Sequence, residues 1–560
     1  MHRDPTDYSD RLPGEPMVRC AVLRTRFAAC SAVSLLLVVS AAVPPAANAA
    51  EESPAPATGA VRAAVAAHLD RQRGPILREL ADLLALPNIA AHGEEIRRNA
   101  ELLLEMMRRR GLEAKLLTVP DAPPAVYAEL RSAGASRTVV FYAHYDGQPV
   151  EEADWASDPW VPLLRDRSLT DGGAEIPWPA EGAAMNDEWR LYARSASDDK
   201  APIIAMLAAL DALRAANITP SVNLKFFLEG EEEAGSPNLE RLLDAHKERL
   251  AGDLWLICDG PRHQSRRMQV FFGVRGVVDL ELTLYGPGRP LHSGHYGNWA
   301  PNPIGMLAHL LAQMRDPEGN VTIPGFYAAV RPPSAAEARA LEAIPDRREA
   351  LMAEIGLARS EGEGRSLEEA IMRPAMNLRG IRAGGVGEQA RNAIATEAQA
   401  SIDFRLVPDQ TPEMVRGQVE SWLGRGGYHV VHDSPDDRMR RDHARIVKLQ
   451  WGPGYPPART SLSRPMSRAV VAVLSEAIGE PVIEMPTLGG SVPLFLFMKV
   501  LDAPAIGVPI VNHDNNQHGA DENLRLGNLW EGIAMYAGLM ARLGPEWEAR
   551  MVRGMKRRDG

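Results

Sequence analysis

The 560-residue chain is 45% hydrophobic and 24% charged, ordinary usage for a folded globular protein, which excludes both a disordered chain and a multispanning membrane protein. Its length exceeds one ordinary core, so two domains with extensions are expected. A net charge of −11 with no concentrated basic face excludes nucleic acid as the main partner.

Residues 1–49 read as a signal peptide. From Met17 the text supplies Arg19, Arg24 and Arg26, then an apolar stretch, then Ala47-Asn48-Ala49 as a small-x-small cleavage site. Residues 1–16 are polar and acidic, which makes Met17 an alternative start. The apolar stretch is short for a span and runs into Pro44 and Pro45, so export to the periplasm or the medium is expected, without stable membrane association after cleavage. Cys20 and Cys30 leave with the signal, and Cys258 alone remains, which rules out an internal disulfide.

Residues 50–64 form an expected flexible lead-in. Helical spacing follows over 61–86 and 94–110, where Ala100, Leu103, Met106 and Met107 make a stripe that Gly111 ends. Short apolar runs, among them TVVFYAHYD, VNLKFFLEG and DLWLICDG, then alternate with helices such as 201–216. That alternation predicts an α/β fold with a mixed, largely parallel sheet flanked by helices. Runs such as VVDLELTLYG and TEAQASIDFRLVP have period two instead, which indicates an antiparallel sheet. We therefore expect a second, α+β domain over 275–455, inserted into a first domain built from 65–274 and 456–547, with a basic tail over 548–560. Within the insert, 334–372 is charged, helix-prone and weakly periodic.

Five segments end an apolar run with a metal-capable side chain: AHYD (143–146), SDDK (197–200), EGEEE (229–233), CDG (258–260) and NQHG (516–519). One such ending is usually a cap or a turn. Five in one α/β layer, where functional groups gather at the carboxyl ends of strands, point to a common site.

Together these segments resemble the di-zinc metallopeptidase family that includes carnosinases, cytosolic nonspecific dipeptidase, glutamate carboxypeptidase, aminoacylase and the acetylornithine and succinyl-diaminopimelate deacylases. The resemblance runs from about residue 65 to 545 in the expected order. It implies a catalytic domain holding two Zn2+, with Co2+ or Mn2+ as alternatives for an oxygen-rich set with two imidazoles. His144 and Asp259 are then ligands of the first ion, Glu233 and His518 of the second, and Asp198 bridges both, followed by Asp199 across a cis peptide. Asp146 is the carboxylate that orients His144. Glu232 is the general base and then the general acid. Glu229 supports the site from behind, and Glu231 falls at a variable position where a solvated charge is expected.

The inserted domain is, by the same resemblance, a lid and dimerisation domain. Its LHSGHYGNW contributes His292 to stabilise the oxyanion, often from a partner subunit, and FRLVP contributes Arg405 to bind the substrate carboxylate. GGSVP contributes Ser491 to the same carboxylate. A homodimer joined through the lid is expected, with VVDLELTLYG supplying an edge strand. Substrates would be dipeptides or short peptides cut at the C-terminal bond. N-acyl amino acids are the alternative, and a non-catalytic peptide-binding protein is a remoter one. The chain departs from the family pattern at Ala143, Ala193, Ser195 and Ala201, which occupy glycine positions, and at an insertion over 169–188.

Overall fold

A computed structural model describes residues 57–180, 182–362, 364–490 and 492–556. The expected signal peptide and Ser491 lie outside the described residues. The expected lead-in is helical where it is described: a helix spans Thr58–Leu84, because Val61, Val65 and Leu69 at helical spacing are buried. Likewise the basic tail continues the closing helix Leu526–Lys556. Among the described residues no helix is long and apolar enough to cross a membrane, and Cys258 is a buried free thiol.

The larger sheet has eight strands, in spatial order Glu113–Leu117, Ala125–Leu130, Asn223–Glu229, Thr138–His144, Leu254–Ile257, Ala505–Gly507, Gln269–Phe271 and Ile483–Met485. Its central pairings are parallel, with His144 opposite Glu229 and Tyr142 opposite Ile257. Side chains of a strand alternate between faces, so Val139, Phe141 and Ala143 join one hydrophobic cluster while Val140 and Tyr142 join the other. The helices Thr58–Leu84, Lys200–Ala215, Pro465–Ile478 and Leu526–Lys556 cover the first face. Leu239–Ala245 and Leu494–Leu501 cover the second. Burial on both sides explains why these strands read as continuous apolar runs rather than alternating ones.

The inserted region builds a five-stranded sheet in the order Ala375–Arg382, Glu397–Leu406, Gly276–Tyr285, Ile446–Trp451 and His429–Val431. All pairings are antiparallel except the last. Helices Pro303–Met314 and Pro412–Arg425 cover its one apolar face, where Val278, Leu280, Leu282 and Leu284 meet Ala400, Ile402 and Phe404 in a separate core. The strand expected to supply a dimer edge, Gly276–Tyr285, is instead the middle of this sheet, paired on both sides. Its alternating pattern reports one solvated face, which an interior strand shares with an edge strand. One open edge is Ala375–Arg382, with Leu378 and Ile381 exposed; the short strand His429–Val431 is the other.

The insertion over 169–188 contributes Glu175–Ile176 as the outer strand of a small four-stranded sheet with Leu163–Arg165, Arg190–Tyr192 and Asn523–Arg525. This sheet matters for the site because it pins residues 515–523 against the loop that carries Asp198.

Candidate metal centre

Three parallel strands end side by side, and their last residues set the site. His144 closes Thr138–His144, Glu229 closes Asn223–Glu229, and Asp259 lies two residues past Leu254–Ile257. Asp198 arrives on the loop before helix Lys200–Ala215, and the Asp198–Asp199 peptide is cis, as the resemblance implied. His518 arrives on the loop before Asn523–Arg525 with a left-handed φ of 64°.

The five expected ligands converge. Asp198 is divided between two imidazoles: its Oδ1 lies 2.8 Å from His144 Nε2 and its Oδ2 lies 3.2 Å from His518 Nε2. His518 Nε2 is also 3.3 Å from Glu233 Oε2, which accepts a hydrogen bond from Gln148 Nε2 at 2.8 Å. Ligand atoms of His144, Asp198 and Glu233 lie within 4.8 Å of one another, and so do those of His144, Asp199 and Asp259. Asp199 was expected only as the residue after the bridging carboxylate. Its Oδ2 accepts the His144 backbone N–H at 3.2 Å, while its buried Oδ1 has no partner.

The electrostatics ask for added positive charge. Burial first, then the neighbouring Asp198, pushes Glu233 up to about 7 and Asp259 up to about 6. Burial also raises Glu232, reinforced by Asp259 and Glu233. The hydrogen bond to Asp198 carries His518 up to about 9. Burial works against a charged His144, but Asp146 and Asp198 outweigh it and raise that group too. Crowded carboxylates facing two imidazoles, with a buried carboxylate oxygen left over, fit two zinc ions held by nitrogen and oxygen donors.

Asp146 does more than orient an imidazole. The His144 Nδ1 bonds the Asp146 main-chain oxygen at 3.1 Å, with Oδ1 3.4 Å away. The carboxylate itself accepts the backbone N–H groups of Glu232 at 3.1 Å and Glu233 at 3.0 Å. It therefore fixes the turn presenting the expected base and ligand. Glu229 supports the site as expected: it is buried and accepts from Tyr142 Oη at 2.7 Å. Glu231 corrects the expectation of a solvated charge. It is buried and accepts both the backbone N–H and the Nδ2 of Asn238, at 2.8 and 3.0 Å, which closes the loop behind the turn. Gly230 is required between them because a Cβ there would stand 2.3 Å from Tyr145 Oη.

Sequence reasoning missed Glu522. Its carboxylate is fully buried and accepts the backbone N–H groups of Ser195, Ser197 and Asp198 at 2.8 to 2.9 Å, together with Arg194 Nη1 at 2.9 Å. It holds in place the loop that carries Asp198. The available signal was an acidic residue four positions after His518, just before the short strand Asn523–Arg525. Lys200 was also unassigned. It is buried without a carboxylate partner and donates to the carbonyls of Leu83 and Leu86, at the end of helix Thr58–Leu84, where partial negative charge collects. Ser195, at a family glycine position, has a left-handed φ of 62° and is retained by Asn88 Nδ2 bonding its Oγ at 2.9 Å.

The lid residues are not joined to this cluster. His292 is exposed on a two-residue strand paired with Ala393–Ile394, and its Nδ1 accepts the Gly294 N–H. Arg405 is half-buried on Glu397–Leu406, with its Nε donating to Asp403 Oδ2 at 2.8 Å.

Residues 140–542 match the family described as Peptidase family M20/M25/M40. The chain belongs to this peptidase family. It is a metallopeptidase hydrolase of the family's dipeptidase-like branch. The chain is 24% identical over 467 residues to Cys-Gly metallodipeptidase dug1 of Schizosaccharomyces pombe, covering 81% of this chain and 90% of that one. It is 26% identical over 431 residues to the human Beta-Ala-His dipeptidase, covering 74% of this chain and 76% of that one. Among solved structures, an M20 family metallo-carboxypeptidase from Sulfolobus solfataricus superposes with a TM-score of 0.68 at 26% identity, over 84% of this chain and 99% of that one.

Proposed function

We propose that this M20 peptidase is an exported, zinc-dependent dipeptidase, with activity on dipeptides or on the C-terminal bond of short peptides. The observation that carries the reading is the division of Asp198 between His144 and His518, with the Glu232–Glu233 turn held beside them. His144, Asp198, Glu233, Asp259 and His518 would hold two zinc ions. When bound, these supply Lewis-acid polarisation of the scissile carbonyl and acidify water. Glu232 takes the proton from the attacking water and returns it to the leaving amine. Asp146 keeps Glu232 in position, and Asp198 spaces the two imidazoles. His292, Arg405 and Ser491 would complete the site from the lid and the 489–493 loop, with His292 on the oxyanion and the other two on the substrate carboxylate. Dipeptide hydrolysis in the curated relatives, Cys-Gly and β-Ala-His, supports a small peptide as substrate.

The test compares kcat/KM on alanyl dipeptides and on N-acetyl amino acids, with zinc measured on the same sample. Faster turnover of the dipeptides is expected, whereas a preference for N-acetyl amino acids would replace the reading with a deacylase. Export predicts a mature N-terminus near Ala50 by terminal sequencing of protein recovered from the native cell envelope or medium.

We further infer a homodimer through the lid. The open edge Ala375–Arg382 supports it, because an edge strand whose outer side is unpaired, with Leu378 and Ile381 at 45% and 60% exposure, is a template for pairing. Light scattering at micromolar concentration is expected to give twice the chain mass, and Ile381→Asp to shift it to the monomer. A wild-type monomer would remove this inference and leave His292 to act on its own chain.

A further inference from the structure

Segment 334–372 is continuous in sequence with the lid but packs against the larger sheet. Its first helix, Ala335–Glu342, buries Ala340 in the main core, and Glu337 forms a buried ion pair with Arg459 at 3.0 Å. Further along, Glu368 is 8% exposed beside His263. Between this segment and the sheet lies a cavity of about 330 Å³.

The inner wall of that cavity is built from the chain segments that also carry Asp259 and His518. Pro261 stands two residues past Asp259, His513 stands five before His518, and Leu488 approaches the Cβ position of Gly260 to 3.7 Å. The outer wall carries Leu351, Glu354 and Glu368.

The charges in the cavity do not cancel. Arg262 borders it, but its guanidinium is engaged by Glu531. His263 is 4% exposed, and the Ser265 backbone N–H donates to its Nδ1 at 3.1 Å, which places the ring proton on Nε2. That buried Nε2 has no hydrogen-bond partner, since Glu368 Oε1 stands 3.6 Å away. The ring therefore flanks the Glu368 carboxylate without hydrogen-bonding it. Glu354 also lines the cavity, close enough to His513 to act on its charge. Glu368, 8% exposed at this half-open cavity and held charged by local hydrogen bonds, leaves the cavity with net negative charge that a cation would complement.

We propose that this cavity receives a substrate side chain and selects a basic one, lysine or arginine, with Glu368 as its counter-charge and Glu354 at its mouth. The proposal rests on the dipeptidase reading. The apolar stem of such a side chain would lie along Pro261, Leu351 and Leu488, and its cationic end would reach the carboxylates.

Kinetics of the zinc-loaded enzyme on Ala-Lys, Lys-Ala, Ala-Leu, Leu-Ala, Ala-Glu and Glu-Ala test it. One lysine dipeptide is expected to exceed its leucine counterpart in kcat/KM by about tenfold, and the arm that does so identifies which residue of the substrate enters. Glu368→Gln is expected to reduce that lysine-to-leucine ratio about tenfold, chiefly through KM. Glu354→Lys, on an exposed turn of helix, is expected to move the ratio in the same direction and to raise kcat/KM for the glutamate dipeptide. Hydrolysis of the leucine dipeptides with no lysine preference, or a ratio that neither variant moves, would overturn the pocket assignment alone. If no dipeptide is hydrolysed, the dipeptidase reading and this proposal both fail.

Discussion

Replacing Glu232 with glutamine is expected to lower kcat by about a thousandfold, the loss of one general acid–base group, while zinc content and melting temperature stay those of the wild type. The reason lies in how the residue is held. Glu232 is fixed through its backbone N–H, which donates to Asp146 Oδ1, so its side chain is not needed to hold the turn. Glutamine keeps the shape and cannot accept the proton. Metal analysis, thermal unfolding and steady-state kinetics on one preparation would check this. Retained turnover would remove Glu232 as the base, and lost zinc would move it into the ligand set.

The second large effect is expected at Glu522, which touches neither substrate nor metal. Glu522→Ala leaves Arg194 buried without its carboxylate and three backbone N–H groups without an acceptor. Breaking a buried pair on one side costs about 3–5 kcal/mol, so the melting temperature should fall sharply. Because the freed loop carries Asp198, zinc affinity should also fall by about 10–100-fold, the range for groups that orient ligands. Glu522→Gln should fall between, since an amide oxygen can still accept two of the N–H bonds. Competition with a zinc chelator, set beside thermal unfolding, separates the two consequences. Unchanged zinc affinity in a destabilised Glu522→Ala protein would show that the loop holds its geometry without this carboxylate.

These expectations differ in how far they could be read from the chain. The carboxyl-end motifs were legible because a parallel sheet buried on both faces writes its strands as apolar runs and ends each with its functional residue. His144, Glu229 and Asp259 obey that rule, and so does the turn carrying Glu232 and Glu233. In the charge-crowded FLEGEEEAGS the structure places Glu229 buried behind the site and Glu233 beside His518, where the motif expects them. Glu231 escaped because burial of a carboxylate depends on whether hydrogen-bond donors meet it, and Asn238, which supplies them, is seven residues away on the far side of a turn. Glu522 escaped for the same reason at greater range, since the donors it serves lie more than 300 residues earlier in the chain.

The interior position of Gly276–Tyr285 shows a different limit. Period two records which face of a strand is apolar, and it is silent about whether one neighbour or two complete the hydrogen bonds. The same holds for segment 334–372, whose weak periodicity follows from packing against the larger sheet with only scattered side chains, Ala340, Ile344 and Ile371 among them.

The sequence by itself determined the α/β class, the two sheets and the ligand types at the centre, because hydrophobic period and motif spacing are local properties of the chain. Tertiary structure alone decided which strands lie at the edge of the inserted sheet, which distant carboxylate anchors the loop of Asp198, and which carboxylates line the cavity under segment 334–372. Each of those depends on groups that burial brings together from remote parts of the chain, where the cost of an unmatched charge or an unpaired N–H is set by its surroundings rather than by its neighbours in sequence.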